Sequence, residues 1–304
     1  MSKGNGTFSS SAELSVPGAA TVLVGDFNRD GHLDLAVGTS SQVFLFFGAG
    51  NGTFTSGPVY DLSTVCTIYD ISPGPMPCFV AAGFNGDGIL DLAGANGPAG
   101  TVSVLLGNGD GTFSPGTTFS SGPNPLRLVA ANFGGVGGRD LAVVNYIAGV
   151  SIFLNQGGGM FGSPIDVSVG TNPVSLGAAD LNGDGITDLV VGDCTSPVVW
   201  ILLGSGGGAF GAPTPVSVDA CPISLAVADF NLDGIPDIAT ANIMANSSSV
   251  LQGIGGGAFS AEILYDVAAQ PAAIVAARVL SAKQKDLVVV GEDGRVSILI
   301  NATR

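Results

Sequence analysis

Positive charge is scarce in this sequence: Lys and Arg together number 9 against 24 Asp and Glu, a formal charge of −15 over 304 residues. Such a chain repels phosphate backbones and anionic lipid headgroups, which argues against nucleic acid as a partner. Histidine is almost missing. A lone imidazole, His32, cannot furnish a zinc site or a His-based catalytic triad. No apolar run reaches the roughly 18 to 20 residues of a membrane-spanning helix, so membrane insertion is not expected, and residues 1–6 lack the apolar stretch of a secretory signal. The Gly-rich stretch at residues 204–208 lacks the Lys of a phosphate loop and reads as a hairpin turn. These absences leave little for an enzyme to work with. Only carboxylate chemistry of the polysaccharide hydrolase or lyase kind stays open, with Asp193 and Asp219 as the first pair to consider.

What the chain has instead is glycine, 48 residues or about twice the usual share, and an acid content made almost wholly of Asp, the carboxylate of loops and turns. With 46% hydrophobic residues it also has ample material for a core. The Asp residues are periodic. A nine-residue phrase, Asp-x-Asn-x-Asp-Gly-x-x-Asp, occupies residues 26–34, 180–188 and 229–237, and a copy with Gly83 in first place occupies residues 83–91. Two faded copies end at Asp140 and Asp286, so the final Asp recurs at 34, 91, 140, 188, 237 and 286, a period of about 49 with one insertion. A second marker, a Gly-rich turn followed by Phe, recurs at Phe8, Phe54, Phe113, Phe161, Phe210 and Phe259.

Within each repeat the apolar residues form short runs bounded by Gly, Asn, Asp and Pro, as at residues 174–179, 189–192, 198–203 and 210–218, and these read as four strands. Six four-stranded units at this period predict an all-β, six-bladed β-propeller forming a single domain over residues 1–304. The last repeat ends after its third strand, while residues 8–16 carry a spare Phe marker and a spare apolar run. This N-terminal segment is expected to complete the sixth blade and leave no free sheet edge.

The nine-residue phrase has the donor pattern of a calcium loop. Oxygen side chains stand at positions 1, 3, 5 and 9, and the Gly at 6 lets the chain turn so that the carbonyl of position 7 faces the same point. All donors are hard oxygens, which selects Ca²⁺ over zinc or copper. Three full sites are expected: Asp26, Asn28, Asp30, His32 carbonyl and Asp34; Asp180, Asn182, Asp184, Ile186 carbonyl and Asp188; Asp229, Asn231, Asp233, Ile235 carbonyl and Asp237. A weaker partial site retains Asn85, Asp87, Ile89 carbonyl and Asp91. For any single copy a plain hairpin turn explains Asp, Asn and Gly as well; four copies with the same ligand positions favour the metal.

The alternation of Asp-Phe-Asn-x-Asp-Gly-x-x-Asp-Leu-Ala with Phe-Gly-Ala-Gly-Asn-Gly-Thr-Phe, as at residues 26–36 and 47–54, resembles the FG-GAP (or VCBS) repeats of the integrin α-subunit propeller and related bacterial proteins. The resemblance implies a Ca²⁺-bearing propeller used outside the cell for adhesion or ligand binding, with the ions in hairpins between the first and second strands of a blade. It departs from the integrin pattern in having six repeats rather than seven.

Four cysteines form two local groups. Cys66 and Cys78 bracket the insertion, while Cys194 follows a second strand and Cys221 precedes the next first strand, positions that share one face in an up-and-down blade. Disulfides 66–78 and 194–221 are the favoured pairing of three possible; four free thiols are the alternative. Disulfides and calcium together point to an extracellular, cell-surface or periplasmic protein. The face opposite the metal loops carries the least regular loops, with Tyr69, Tyr146, Asp193 and Asp219 as candidate contacts for a protein or glycan ligand. Trp200 lies inside a strand and reads as core. The expected function is a non-enzymatic adhesion or binding module, working as a monomer or as part of a larger protein, with a Ca²⁺-dependent lectin as the alternative.

Overall fold

The computed structural model describes residues 13–19, 21–39, 41–61, 79–134, 136–146, 148–279 and 284–301. All regular structure among them is β, and no helix is long and apolar enough to cross a membrane. The fold class is a six-bladed β-propeller of antiparallel blades. The chain forms two compact units, Ser10–Asp166 and Val167–Arg304, each holding three blades.

Blade one pairs Thr21–Gly25, Asp34–Gly38, Gln42–Gly48 and Phe54–Asp61 in sequence order, and blade two does the same with Phe79–Ala82, Asp91–Asn96, Thr101–Gly107 and Phe113–Ser120. Blade three is Pro125–Ala131, Asp140–Asn145, Gly149–Phe153 and Ile165–Val167. The second unit contains Pro173–Ala179, Asp188–Asp193, Val198–Leu202 and Thr214–Ser217, then Pro222–Ala228, Asp237–Asn242, Ser247–Leu251 and Ile263–Asp266. Its last blade has Pro271–Ala277, Asp286–Gly291 and Val296–Leu299 among the described residues. Residues up to 12, which carry most of the expected closing segment 8–16, lie outside the described residues, and residues 13–16 form no strand.

The second strands of blades three, four and five are covered on both faces, which is why they read as unbroken apolar runs rather than alternating ones. Asp140–Asn145, Asp188–Asp193 and Asp237–Asn242 are buried throughout. The core lies between successive sheets. Phe84, Val102 and Val104 of blade two pack with Leu141, Val143 and Phe153 of blade three, and Val190, Val199 and Ile201 of blade four pack with Ile238 and Leu251 of blade five.

One strand differs from the sequence reading. Residues 210–218 do not form one fourth strand: Phe210 ends a short ribbon, Gly204–Gly206 with Ala209–Phe210, and the fourth strand is Thr214–Ser217. Blades three and five break in the same way, at Asn155–Gly157 with Met160–Phe161 and at Gly253–Gly255 with Ala258–Phe259. In blades one and two the fourth strand bulges, with two of its residues facing Leu45 of one third strand and Val104 of the other, and this absorbs the extra residue, so the ladder runs on.

Candidate metal loops and the opposite face

Each Asp phrase forms the turn between the first and second strands of its blade. Its sixth residue is left-handed, as at Gly31 (φ 86°) and Gly185 (φ 84°), and so is its fourth, which is Arg29 (φ 60°) and Leu232 (φ 63°) in two loops. The first carboxylate folds back onto the loop. Asp26 accepts from the amides of Asp30 and Gly31, Asp180 from Gly183, Asp184 and Gly185, and Asp229 from Leu232, Asp233 and Gly234. The Asn at position 3 donates its amide to the Asp at position 5, at 2.9 Å from Asn28 to Asp30 and 2.7 Å from Asn85 to Asp87. Asn182 to Asp184 and Asn231 to Asp233 repeat the bond. The fifth carboxylate then accepts from the amide of position 7: His32, Ile89, Ile186 or Ile235.

The ninth acid has a role that the donor pattern did not reveal. Asp34 is fully buried and accepts from Phe27 N (2.9 Å), Asn28 N (3.3 Å) and, through its other oxygen, Gly48 N (2.8 Å). Asp91 repeats this with Phe84, Asn85 and Gly107, Asp188 with Leu181 and Gly204, and Asp237 with Phe230 and Gly253. The two loops that lack the other ligands keep it: Asp140 accepts from Phe133 N and Asn155 N, both at 2.7 Å, and Asp286 from Val279 N and Asn301 N. In all six blades this buried carboxylate ties the loop to the end of the third strand. Its persistence at Asp140 and Asp286 was the sequence signal for a brace that needs no metal.

The donor set fits a hard divalent cation. Positions 1, 3 and 5 are half-buried or exposed at the loop surface and all offer oxygen, and the oxygen of the ninth carboxylate that meets the third strand accepts a single amide, which leaves it a lone pair. Burial pushes the Asp91, Asp188 and Asp237 carboxyls above the usual range against the pull of their amide partners, and the neighbouring charges of Asp87, Asp184 and Asp233 push in the same direction. A cation relieves that repulsion. Among the described residues no three acid, histidine or cysteine side chains are gathered closely enough to hold a metal as they stand, the first carboxylate being turned onto its own amides.

At the other end of the strands, Cys194 and Cys221 form a disulfide that staples the second-to-third-strand turn of blade four to the first strand of blade five. Cys66, Cys78 and Tyr69 lie outside the described residues. Asp193 is not a surface contact. It is fully buried, and its two oxygens accept from the amides of Thr171 (2.6 Å), Asn172 (3.2 Å), Thr195 (2.8 Å) and Ser196 (3.0 Å). Burial alone would raise its carboxyl; the amides of Thr171, Ser196, Asn172 and Thr195 outweigh that and hold it below the ordinary value. A carboxylate so held is a poor proton donor, and both of its oxygens are taken by backbone amides. Asp219 is half-buried, capping Ala220 N and accepting from the Ser247 hydroxyl at 2.9 Å. Tyr146 is half-buried, its amide donating to Asn124 O. Sequence reasoning gave no hint of a cavity of about 300 Å³ in the second unit, lined by Val250, Ile263, Tyr265, Lys285, Leu299 and Ile300 among others.

Comparison with known proteins bears on the repeats and the fold. The FG-GAP-like repeat matches at residues 26–76, 83–135, 135–191 and 180–240. No curated protein sequence matches the chain. Among solved structures, a lectin from Agrocybe aegerita that recognises non-reducing terminal N-acetylglucosamine is similar over 94% of this chain and 81% of its own, at 18% identity and a TM-score of 0.58. BBS1N, crystallised in complex with ARL6DN, is similar over 99% of this chain and 84% of its own, at 12% identity and a TM-score of 0.66. At these identities the likeness is one of fold. With its repeats matched over more than half of its length, the chain belongs to the FG-GAP-like repeat family.

Proposed function

We propose that the chain is a calcium-binding propeller that serves as an extracellular or periplasmic module for binding or adhesion. The observation that carries this reading is the recurrence, in blades one, four and five, of the same set of oxygen donors on a loop already folded around its own Gly turn. Asp26, Asn28, Asp30, Asp34 and the His32 carbonyl would hold one ion, and the corresponding residues of the other two loops would hold two more. The loop with Gly83 in place of the first Asp would hold a fourth more weakly. The ion's contribution is charge: it neutralises the carboxylates that surround it and relieves the repulsion that the fifth exerts on the ninth.

The Cys194–Cys221 disulfide and family membership support an oxidising, calcium-rich compartment. A protein or glycan ligand on the face opposite the metal loops fits the range of propellers that share this fold, one recognising a sugar and another seated on a protein. Isothermal calorimetry on chelator-treated protein tests the calcium reading. The expected result is three stronger sites and one weaker, with a melting temperature that rises with calcium, each site adding about 2.7 kcal/mol when free ion is 100 times its Kd. Absence of both heat and thermal shift in millimolar calcium would overturn it. A glycan array probed with and without calcium separates a sugar ligand from a protein one.

A further inference from the structure

The Asp loops also form joints between blades. In blade one the carbonyl of Phe27, the second loop residue, accepts from Gly111 N in the Gly-rich turn of blade two (3.2 Å), and the Phe27 and Phe113 rings meet with centroids 6.1 Å apart. The carbonyl of Leu181 in blade four accepts from Gly257 N in blade five at the same distance, with the Leu181 side chain in one core with Phe259. Phe84 of blade two does the same with Gly159 N and the Phe161 ring of blade three. The next blade's Gly–Phe turn is therefore seated on the preceding blade's Asp loop. This is why the two sequence markers recur together.

The joints are of two kinds, and the end of the third strand tells them apart. Gly48 and Gly107 end that strand in blades one and two, and Gly204 and Gly253 stand just beyond it in blades four and five, where the carbonyls of Leu33, Leu90, Thr187 and Pro236 leave no room for a Cβ. Blades three and six, whose loops have lost the ligand residues, have Asn155 and Asn301 there instead. The Asn155 carboxamide donates to Phe84 O of the preceding blade (2.7 Å) and to Arg139 O of its own loop (3.0 Å), while its oxygen accepts from Gly157 N (2.8 Å). It is fully buried, and Gly137 and Gly138 of the ligand-poor loop close in on it and on Gly83 and Phe84 with no space for side chains. Asn301 repeats the arrangement across blades five and six, donating to Phe230 O (2.6 Å) and Lys285 O (3.2 Å).

We infer that Asn155 and Asn301 are metal-free staples. Each ties its own ligand-poor loop to the ligand-bearing loop of the blade before it, so that within each unit a calcium-sensitive joint, one to two and four to five, is followed by a calcium-independent one, two to three and five to six. The calcium half of this statement rests on the function proposed above; the staple half does not.

Hydrogen exchange read by mass spectrometry on the full chain, in calcium and in excess chelator, tests both halves. Chelation is expected to speed exchange in peptides covering residues 109–113 and 255–259 and to leave residues 157–161 protected. Asn155→Gly, which installs the residue found in the four other blades, and Asn155→Ala as a second variant are each expected to speed exchange at residues 157–161 by roughly ten- to thirty-fold, the worth of two buried hydrogen bonds. If neither variant changes that segment in calcium or in chelator, the staple is refuted. If chelation releases all three segments alike, the alternation is refuted. If wild-type exchange ignores chelation everywhere while the Asn155 variants still open residues 157–161, the staple stands and the calcium reading falls.

Discussion

Asp140 separates a brace from a metal ligand. It closes a loop with no other ligand residues, is fully buried, and holds Phe133 N and Asn155 N through its two oxygens. Asp140→Asn keeps the shape but replaces one acceptor with an NH₂ that faces an amide donor. Losing a hydrogen bond to a charged group costs about 1.5 to 3 kcal/mol, and a buried donor left without an acceptor adds roughly 1 to 3 more. A total of about 2.5 to 6 kcal/mol is a large share of the ~5 to 15 kcal/mol that holds a domain together. For a unit of this size it lowers the melting temperature by roughly 5 to 24 °C. Differential scanning calorimetry in excess chelator is the assay, since no ion can then contribute. The expected result is a large drop for Asp140→Asn in chelator and in calcium alike. Asp26→Asn, which changes a proposed ligand at the loop surface, is expected to lose the calcium-dependent part and, in chelator, only the small worth of an exposed hydrogen bond from Asp30 N or Gly31 N. If Asp140→Asn melts within a degree or two of wild type in chelator, the sixfold brace is wrong and the ninth acid recurs for another reason.

Periodicity in the sequence was enough to read the blade count and the position of the Asp loops, because each depends on spacing alone; the Cys194–Cys221 pairing needed the up-and-down blade as well, which sets those two cysteines on one face. The second role of the ninth acid was harder to see. A donor pattern records which residues can offer oxygen, not which partner reaches that oxygen first, and here backbone amides from the Asp loop itself and from the end of the third strand arrive at Asp34, Asp91, Asp188 and Asp237. The information was present all the same, in Asp140 and Asp286 surviving without their neighbours and in Asn replacing Gly at 155 and 301. Asp193 was misread for a related reason. It ends a strand on the loop-rich face, where an acid is ordinarily solvated, but residues 170–172 fold over it, with Gly170 left-handed (φ 59°) and too close for a Cβ. Which loop covers which strand end is a tertiary fact that local pattern does not carry. The break after Phe210 has the same origin: one extra residue can be absorbed as a bulge or as a separate ribbon, and the choice depends on how the ladder pairs.

Two further perturbations act in the second unit. The Cys194–Cys221 bond closes a loop with a sequence separation of 27, worth about 3.5 kcal/mol in unfolded-chain entropy, so Cys221→Ser is expected to lower the denaturant midpoint of that unit. An unchanged midpoint on reduction would show that the staple carries no stability. Asp193 makes the acid side of the stability profile testable. Its carboxyl is held below the ordinary value of 3.8 in the folded chain, so the unfolded chain takes up its proton first as pH falls. The stabilisation is therefore fully present above 3.8 and disappears as the pH drops through the lower folded value. Asp193→Asn removes the charge and turns an NH₂ toward the amides of either Thr171 and Asn172 or Thr195 and Ser196. In urea titrations at pH 7 the variant is expected to be less stable by about 2 to 4 kcal/mol, since hydrogen bonds to a charged acceptor are the stronger kind. Below 3.8 the gap to wild type narrows, because the unfolded wild-type chain then takes up the proton first, and it closes as the pH falls through the lower folded value. A gap that stays constant between pH 7 and pH 3 means the four amides are held by shape alone, and the charge on Asp193 plays no part in keeping the loop at residues 170–172 closed.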